Sequence, residues 1–281
     1  MSLRIKLEKY LSEMGPIAIA VSGGVDSMTL AVLANRSNPA TQIFHAKSPA
    51  VPEQATERVK RYAKQENWEL SILNAGEIND VRYRANPVNR CYFCKSNLYR
   101  ELSSNTSHQI LSGTNLDDLG DYRPGLIAAK ENNVCHPYVE LGIDKNTLRL
   151  FAKELNLDDL YQLPSAPCLA SRVETGIAID AEMLPLINQT EEAIWTALKG
   201  RIALKGVRCR MRKAGITIEL DLEGEGESNT NIDHEASYAR ESREIALHNF
   251  SDSKWKINAS DITIDSYKRG SAFLIEALEL G

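Results

Sequence analysis

The chain has 281 residues, a formal net charge of −5, 43% hydrophobic residues and 25% charged residues. This balance is typical of a globular protein, and the length allows one large domain or two domains of unequal size. The negative net charge disfavours bulk electrostatic binding to nucleic acid, although it is compatible with a local basic channel. We find no apolar run of about 18 residues that could span a membrane. The alternating charges of residues 1–6 do not resemble a signal peptide.

Five cysteines are an odd number in a chain of this size, and this disfavours a secreted disulfide framework. We therefore expect a reducing cytoplasm, where grouped cysteines indicate metal or redox chemistry. The cysteines are Cys91, Cys94, Cys135, Cys168 and Cys209.

The first half of the chain alternates short apolar runs with segments of helical periodicity. Such alternation predicts an α/β domain whose parallel sheet is covered by helices on both faces. The predicted strands are residues 16–21, 42–46, 69–73 and 109–113, and the predicted helices are residues 26–35, 52–67, 97–102 and 144–155. Asp144 is the candidate N-cap of the last of these helices.

Residues 161–179 contain Pro164, Pro167 and Gly176 with little periodicity, and they indicate a domain boundary. We predict a first domain over residues 1–176 and a smaller α+β domain, for substrate binding or oligomerisation, over residues 177–281. In the second domain the pattern predicts helices at 180–198 and 232–250, a hairpin of strands 207–211 and 216–222 joined by a turn at 213–215, a loop at 223–231 and a last strand at 261–264.

The segment Ser22-Gly23-Gly24-Val25-Asp26-Ser27 follows the first predicted strand and opens the first predicted helix. Ligands of an open α/β sheet bind at this end of a strand. Two glycines allow a tight turn close to phosphate oxygens, and a helix N-terminus favours an anion. Ser22 and Ser27 add hydroxyl donors, and Asp26 is suited to bind Mg²⁺ that bridges to pyrophosphate. We name this segment the phosphate loop and predict that it binds phosphate groups; a ligand-free glycine turn is the alternative.

The pair Cys91-Tyr92-Phe93-Cys94 and the later Cys168 form the second candidate site. Three converging thiolates could hold a [4Fe–4S] cluster with one open iron, hold zinc with a fourth ligand, or support redox exchange. Buried cysteines that pack as small apolar side chains are the alternative, and we assign Cys135 and Cys209 to it.

The phosphate loop resembles the PP-loop of the ATP pyrophosphatase superfamily, which implies cleavage of ATP to AMP and pyrophosphate through an adenylated intermediate. With three further segments, the chain is similar to the LarE family of ATP-dependent sulfur transferases from the phosphate loop to about Gly176. The likeness continues more weakly through Arg208, Arg210, Glu219 and Arg269-Gly270. The three segments are residues 112–125, residues 136–138 and residues 166–172.

The resemblance implies synthesis of the nickel-pincer nucleotide cofactor of lactate racemase. A carboxylate of a pyridinium biscarboxylate mononucleotide is adenylated, and sulfur then displaces AMP to give a thiocarboxylate. In one branch of the family the cysteine that matches Cys168 donates its own sulfur. The three-cysteine branch, which this sequence resembles, implies a [4Fe–4S] cluster on Cys91, Cys94 and Cys168, with sulfide from an external donor. The family also implies a homo-oligomer.

Site residues follow from these motifs. Arg172 could lower a thiol pKa or hold a phosphate, with an ordinary surface arginine as the alternative. Arg208 and Arg210 share a strand face and could meet one phosphate or carboxylate, or simply be solvated. Glu219 could be a metal ligand or a carboxylate on the face of the hairpin. The remaining candidates are Gly113 for ATP, and Asp117 and Asp118 for Mg²⁺ or ATP or as loop caps. Asp121 is a candidate for the same roles or for substrate, Arg123 for substrate or phosphate, and Ser171 for substrate.

Three other functions fit parts of this pattern. A PP-loop tRNA thiolase also joins such a loop to three cysteines, but the acidic charge, the lack of a recognisable RNA module and the segment 121–125 disfavour it. A PP-loop amide ligase would need an ammonia source and would keep its activity after Cys168→Ser. A zinc-binding module without enzymatic activity is disfavoured by the intact phosphate loop.

Overall fold

The computed structural model describes residues 2–120, 123–164, 167–223, 236–268 and 270–273. The chain forms two compact units. The N-terminal unit comprises Met1–Tyr83 and Asn89–Pro167, and the C-terminal unit comprises Arg84–Val88 and Cys168–Gly281. None of the helices in the described ranges combines the length and apolarity needed to cross a membrane.

The N-terminal unit is built on a four-stranded parallel sheet of order β3-β2-β1-β4, which places β1 inside the sheet. This confirms the predicted α/β class. Its strands are β1 (Ile17–Val21), β2 (Thr41–Ala46), β3 (Glu69–Leu73) and β4 (Gln109–Ser112). Its helices are α1 (Leu3–Glu13), α2 (Val25–Ser37), α3 (Glu53–Gln65), α4 (Val81–Arg84), α5 (Arg90–Asn105), α6 (Pro124–Glu131), α7 (Pro137–Glu140), α8 (Lys145–Glu154) and α9 (Asp158–Tyr161).

Each face of the sheet contacts a separate apolar cluster, because successive side chains of a strand point to opposite faces. Ile17 and Ile19 of β1 join the larger cluster with α1, α2 and α8. Ala18 of β1 and Phe44 of β2 join the smaller cluster with α5 and α6. Both faces of β1 are therefore buried, which explains why its sequence is a continuous apolar run rather than an alternating one.

Several helices of the N-terminal unit depart from the sequence prediction. The short helices α4, α7 and α9 and the longer α1 and α6 were not predicted. α5 begins at Arg90, whereas the periodicity predicted its start at Asn97. The first turn of α5 carries few apolar residues that are buried, so the hydrophobic pattern on which the prediction rests begins only with Tyr99 and Leu102.

The C-terminal unit contains a three-stranded sheet of order β5-β6-β7. β5 (Leu204–Arg212) and β6 (Gly215–Leu222) form the predicted antiparallel hairpin, and β7 (Ile262–Ser266) pairs with β6 in parallel. Helix α10 (Met183–Leu198) packs on β5 and on α11 (Ser237–Phe250). The loop predicted over residues 223–231 lies, beyond Glu223, outside the described residues, as do the first four residues of the helix predicted at 232–250.

The division into units differs from the predicted boundary after Gly176. Val173 pairs with Met211 of β5, and the amide of Glu174 donates to the Met211 carbonyl at 2.9 Å. The buried side-chain amide of Asn86 donates to the carbonyl oxygens of residues 173, 174 and 177. These bonds attach both residues 84–88 and the segment after Cys168 to the C-terminal unit.

Candidate functional site

The phosphate loop lies between β1, which ends at Val21, and α2, which begins at Val25. The hydroxyl of Ser27 accepts a hydrogen bond from the backbone N–H of Ser22 at 3.0 Å and lies 3.1 Å from the Ser22 hydroxyl. The Ser22 hydroxyl also accepts from the amide of Gly24, the N-cap of α2, at 3.4 Å. The two serines therefore brace the turn from which the first amides of α2 project, and such amides favour an anion.

Two glycines allow the chain to approach itself closely here. Gly23 has φ of +81°, and a Cβ at this position would lie 2.7 Å from the carbonyl oxygen of Ala55 in α3. Gly113 follows β4, and a Cβ there would lie 2.7 Å from the backbone nitrogen of Ser27. α3 and the end of β4 therefore enclose the phosphate loop from two directions. Gly113 was predicted from its motif as an ATP-binding residue, and that role stays a prediction.

The Asp26 carboxylate is held by residues distant in the sequence. Its Oδ1 accepts from the side-chain amide of Asn115 at 3.1 Å, and its Oδ2 lies 3.3 Å from Nζ of Lys145. The backbone carbonyl of Asp26 accepts from the buried hydroxyl of Tyr138 at 3.1 Å. Burial raises the pKa of Tyr138 well above its usual value, so this hydroxyl is a permanent donor. The outer side of the loop is fixed by Arg58, whose guanidinium donates to the Gly23 carbonyl at 2.8 Å.

The segment after β4 supports the phosphate loop, and its acidic residues Asp117 and Asp118 each bind a different partner. Asn115 and Asp118 form a capping box on the short 3₁₀ helix Leu116–Leu119. Asp117 accepts from the backbone N–H of Lys145 at 2.8 Å, and Asp118 forms an ion pair with the guanidinium of Arg123 at 2.9 Å. Both acids therefore act as loop caps here, which is one of the two roles that the sequence allowed. Asp121 lies outside the described residues.

A half-buried histidine lies beside this segment. His136 Nδ1 is 2.8 Å from the hydroxyl of Ser112, the last residue of β4, and that hydroxyl is 3.0 Å from Thr114 Oγ1. Burial lowers the pKa of His136 below its usual value, so the imidazole is neutral at neutral pH.

The cysteine pair of the N-terminal unit lies near the start of α5, which begins at Arg90. Cys91 and Cys94 are three residues apart, and residues at this spacing share one face of a helix. Cys91 is exposed and Cys94 is partly exposed. Cys135 packs partly buried against the larger cluster, and burial raises the pKa of its thiol, in agreement with the packing role assigned to it.

The third cysteine, Cys168, belongs to the C-terminal unit, where it is exposed and directly precedes the short 3₁₀ helix Leu169–Arg172. Arg172 is only 3% exposed, so the alternative of an ordinary surface arginine is wrong. Its guanidinium forms a two-point ion pair with Glu191 at 2.9 and 3.0 Å. It also donates to the Ser171 hydroxyl at 3.0 Å and to the Cys168 carbonyl at 3.4 Å. Arg172 therefore fixes the backbone that carries the exposed thiol.

The arginines of β5 have different surroundings. Arg210 is 4% exposed and donates to Glu219 at 2.9 Å and to the Ser171 carbonyl at 3.0 Å, so it is not part of a solvated strand face. Glu219 is 1% exposed and also accepts from Arg212 at 2.9 Å. Arg208 is half-buried, and its guanidinium lies 5.8 Å from the centre of the Tyr267 ring. Burial and the neighbouring arginines lower its pKa.

Between these arginines, Cys209 is 1% exposed, and burial raises the pKa of its thiol well above the usual value. Its packing role is therefore confirmed. Over the ranges that the structure describes, no three histidine, cysteine, aspartate or glutamate side chains are grouped so that they could hold a metal ion.

Comparisons with known proteins identify relatives that are more than 30% identical to this chain. No protein-family model matches it. An uncharacterized protein of Synechocystis sp. is 33% identical over 219 residues, which cover 76% of this chain and 80% of that protein. An uncharacterized protein of Methanocaldococcus jannaschii is 32% identical over 208 residues, which cover 72% of this chain and 79% of that protein. The chain belongs to the family of these two proteins.

A more distant relative carries a named activity. The pyridinium-3,5-bisthiocarboxylic acid mononucleotide synthase of Lactiplantibacillus plantarum is 25% identical over 191 residues, which cover 65% of this chain and 68% of the synthase. This similarity agrees with the resemblance to LarE that the sequence motifs indicate.

Several residues that support the phosphate loop were not predicted from the sequence. Lys145, Tyr138 and Arg58 all contact the loop from other elements. Tyr138 lies in a segment that the motif comparison had marked, and Lys145 follows the predicted N-cap Asp144, which the structure confirms through a 2.7 Å bond to the Thr147 amide. Arg58 gave no signal, because an arginine on a charged amphipathic helix is ordinarily a solvent-facing residue.

Proposed function

We propose that this family member is an ATP-dependent sulfur transferase. It adenylates a carboxylate of a pyridinium biscarboxylate mononucleotide and replaces AMP with sulfur to give a thiocarboxylate, a step in the synthesis of the nickel-pincer nucleotide of lactate racemase. The observation that carries the proposal is the braced phosphate loop at the carboxyl end of the interior strand β1. The activity of the Lactiplantibacillus plantarum relative supplies the substrate class. We include a homo-oligomeric state in the proposal.

In the first step, a substrate carboxylate oxygen attacks the α-phosphorus of ATP, and pyrophosphate leaves. Amides at the start of α2 and the Ser22 hydroxyl would bind the phosphate oxygens. Asp26 has the donor chemistry for Mg²⁺, which proteins bind through one or two carboxylates together with substrate phosphates. Adenylation is needed because a free carboxylate is a poor electrophile until one oxygen becomes part of a good leaving group.

In the second step, a sulfur nucleophile attacks the activated carbonyl carbon, and AMP leaves. A thiolate or sulfide is the reactive form of sulfur. Cys168 is the candidate donor, because its side chain is exposed and its backbone is tied to the buried Arg172. Its thiolate would displace AMP to form a thioester, and loss of the Cys168 α-proton with cleavage of its Cβ–S bond would then release the thiocarboxylate and leave dehydroalanine. When external sulfide is the nucleophile, it would displace AMP directly and give the thiocarboxylate. Substrate contacts through Asp121, Arg123, Ser171, Arg208 and Arg210 stay predictions.

A [4Fe–4S] cluster on Cys91, Cys94 and Cys168 also stays a prediction. Its ligands are divided between the two units, with Cys91 and Cys94 in the N-terminal unit and Cys168 in the C-terminal unit. We therefore derive no step through a cluster, and sulfur comes in this proposal from Cys168 or from an external sulfide donor. Anaerobic purification with iron and sulfide analysis tests the cluster directly. About four irons per chain, lost in Cys91→Ala, would establish it, and no iron after reconstitution would rule it out.

The decisive experiment for the function combines the pyridinium mononucleotide, Mg²⁺·ATP and sulfide, with pyrophosphate and thiocarboxylate measured separately. We expect acceptor-dependent pyrophosphate release by the wild type. When sulfide is omitted, Cys168→Ser should keep this release and lose the sulfur product that Cys168 would donate, and Cys135→Ser should keep both because Cys135 packs on the core. No pyrophosphate with this acceptor would refute the proposal. Full activity of Cys168→Ser with ammonia would identify an amide ligase, and tRNA binding with a steep salt dependence would identify a tRNA thiolase.

A further inference from the structure

Lys145 extends from the first turn of α8 to the phosphate loop, 119 residues away in the sequence. Its Nζ lies 3.3 Å from Asp26 Oδ2. The backbone of Lys145 is fixed, because its N–H donates to Asp117 at 2.8 Å and because Asp144 caps the same helix. The backbone of Lys145 is therefore fixed, while its flexible side chain places the ammonium at the phosphate loop.

The ion pair contributes little to the stability of the fold. The Lys145 and Asp26 side chains are 32% and 27% exposed, and ion pairs with this access to solvent are weak. The ion pair matters instead for ligand binding, because Asp26 is part of the phosphate loop. Asp26 lies in the first turn of α2, beside the amides that favour an anion, and its negative charge opposes a bound phosphate unless a cation compensates it.

We propose that Lys145 is a pyrophosphate-binding residue of the ATP site. In the nucleotide-bound chain, Asp26 would hold Mg²⁺, and the Lys145 ammonium would turn from Asp26 to the β- and γ-phosphate oxygens. A lysine suits this exchange, since its ammonium is a compact charge with three donors on a stem with four rotatable carbons. In the free chain the same ammonium neutralises Asp26. This inference rests on the proposed binding of ATP at the phosphate loop.

The role predicts a dependence on the length of the phosphate chain. Lys145→Met removes the charge and keeps most of the stem. We expect the dissociation constants of Mg²⁺·ATP and of inorganic pyrophosphate to rise by about tenfold or more, because hydrogen bonds to charged groups are among the strongest in proteins. The dissociation constant of AMP, which lacks the β- and γ-phosphates, should change by less than about twofold. Lys145→Arg should recover part of the loss.

Isothermal titration with ATP, pyrophosphate and AMP measures these constants, and thermal unfolding checks the fold of each variant. Lys153→Met is the matched control, since Lys153 is an exposed lysine in the last turn of the same helix. Unchanged ATP and pyrophosphate binding by Lys145→Met, or an equal loss for all three ligands, would overturn the inference while the proposed function stands. A wild-type chain that binds none of the three would overturn both.

Discussion

Replacing Gly113 with alanine tests whether the end of β4 fixes the phosphate loop. A Cβ at this position would lie 2.7 Å from the Ser27 nitrogen and 2.8 Å from the Asp26 carbonyl carbon. Both are backbone atoms at the start of α2, so neither can move aside as the end of a side chain could. The two backbones must separate by about 0.7 Å, which is the difference between 2.7 Å and the 3.4 Å at which ordinary contact begins.

This displacement has two measurable effects. Overpacking of this kind costs about 1–3 kcal/mol, and for a unit of this size each kcal/mol lowers the melting temperature by about 2–4 °C. The second effect is on binding, because a shift of about 1 Å at a site that positions a substrate can reduce activity by about 10²-fold. We therefore expect a lower melting temperature and an ATP dissociation constant that is raised by about tenfold or more.

Calorimetric titration with Mg²⁺·ATP and thermal unfolding are the assays. Gly120→Ala is the matched control, since a Cβ at Gly120 would meet only the Asp117 carbonyl oxygen, at 4.0 Å. The control should bind ATP as the wild type does. If Gly113→Ala also kept both the wild-type affinity and the wild-type melting temperature, the close approach of β4 to α2 would have no energetic role, and the reasoning would be refuted.

Three further predictions concern other buried groups. Glu219→Gln removes the carboxylate of a buried ion pair and should lower the free energy of unfolding in urea by about 3–5 kcal/mol, whereas Glu241→Gln, in an exposed pair, should change it by less than about 1 kcal/mol. Iodoacetamide should modify the exposed Cys168 in the native chain and Cys209 only after denaturation, as mass spectrometry would reveal; rapid native modification of Cys209 would contradict its burial. Burial lowers the pKa of His45 below its usual 6.5, so the unfolded chain binds more protons than the folded chain below about pH 6.5. The free energy of unfolding should therefore be at its full value above about pH 6.5 and fall as the pH drops through the lower folded pKa. His45→Gln should flatten this dependence of the unfolding free energy on pH, and an unchanged dependence would show that other groups cause it.

Local patterns in the sequence were sufficient to predict several of the strands and helices that position the site residues. β1 was predicted because its apolar run ends in a glycine turn, and the N-cap Asp144 because an acid precedes an amphipathic segment. The hairpin of β5 and β6 was predicted from alternation around the turn at residues 213–215. In each of these cases the residues that decide the structure are neighbours in the chain.

Contacts between distant residues were not predictable in this way. Nothing local distinguishes Lys145 from other helix lysines, since its partner Asp26 is brought to it only by the parallel sheet. The same limit applies to Arg210. Its position on one strand face with Arg208 followed from the period of two, but its pairing with Glu219 depends on the register of β5 against β6.

The attachment of residues 84–88 to the C-terminal unit constrains how the protein can be synthesised and divided. Asn86 leaves the ribosome 87 residues before Val173, whose carbonyl it binds. The C-terminal unit therefore completes its fold only if residues 84–88 are still accessible when the chain after Cys168 leaves the ribosome. For the same reason, a fragment cut at Cys168 lacks the donor for three backbone carbonyls. A separately produced C-terminal unit must therefore carry residues 84–88 joined to it by a linker.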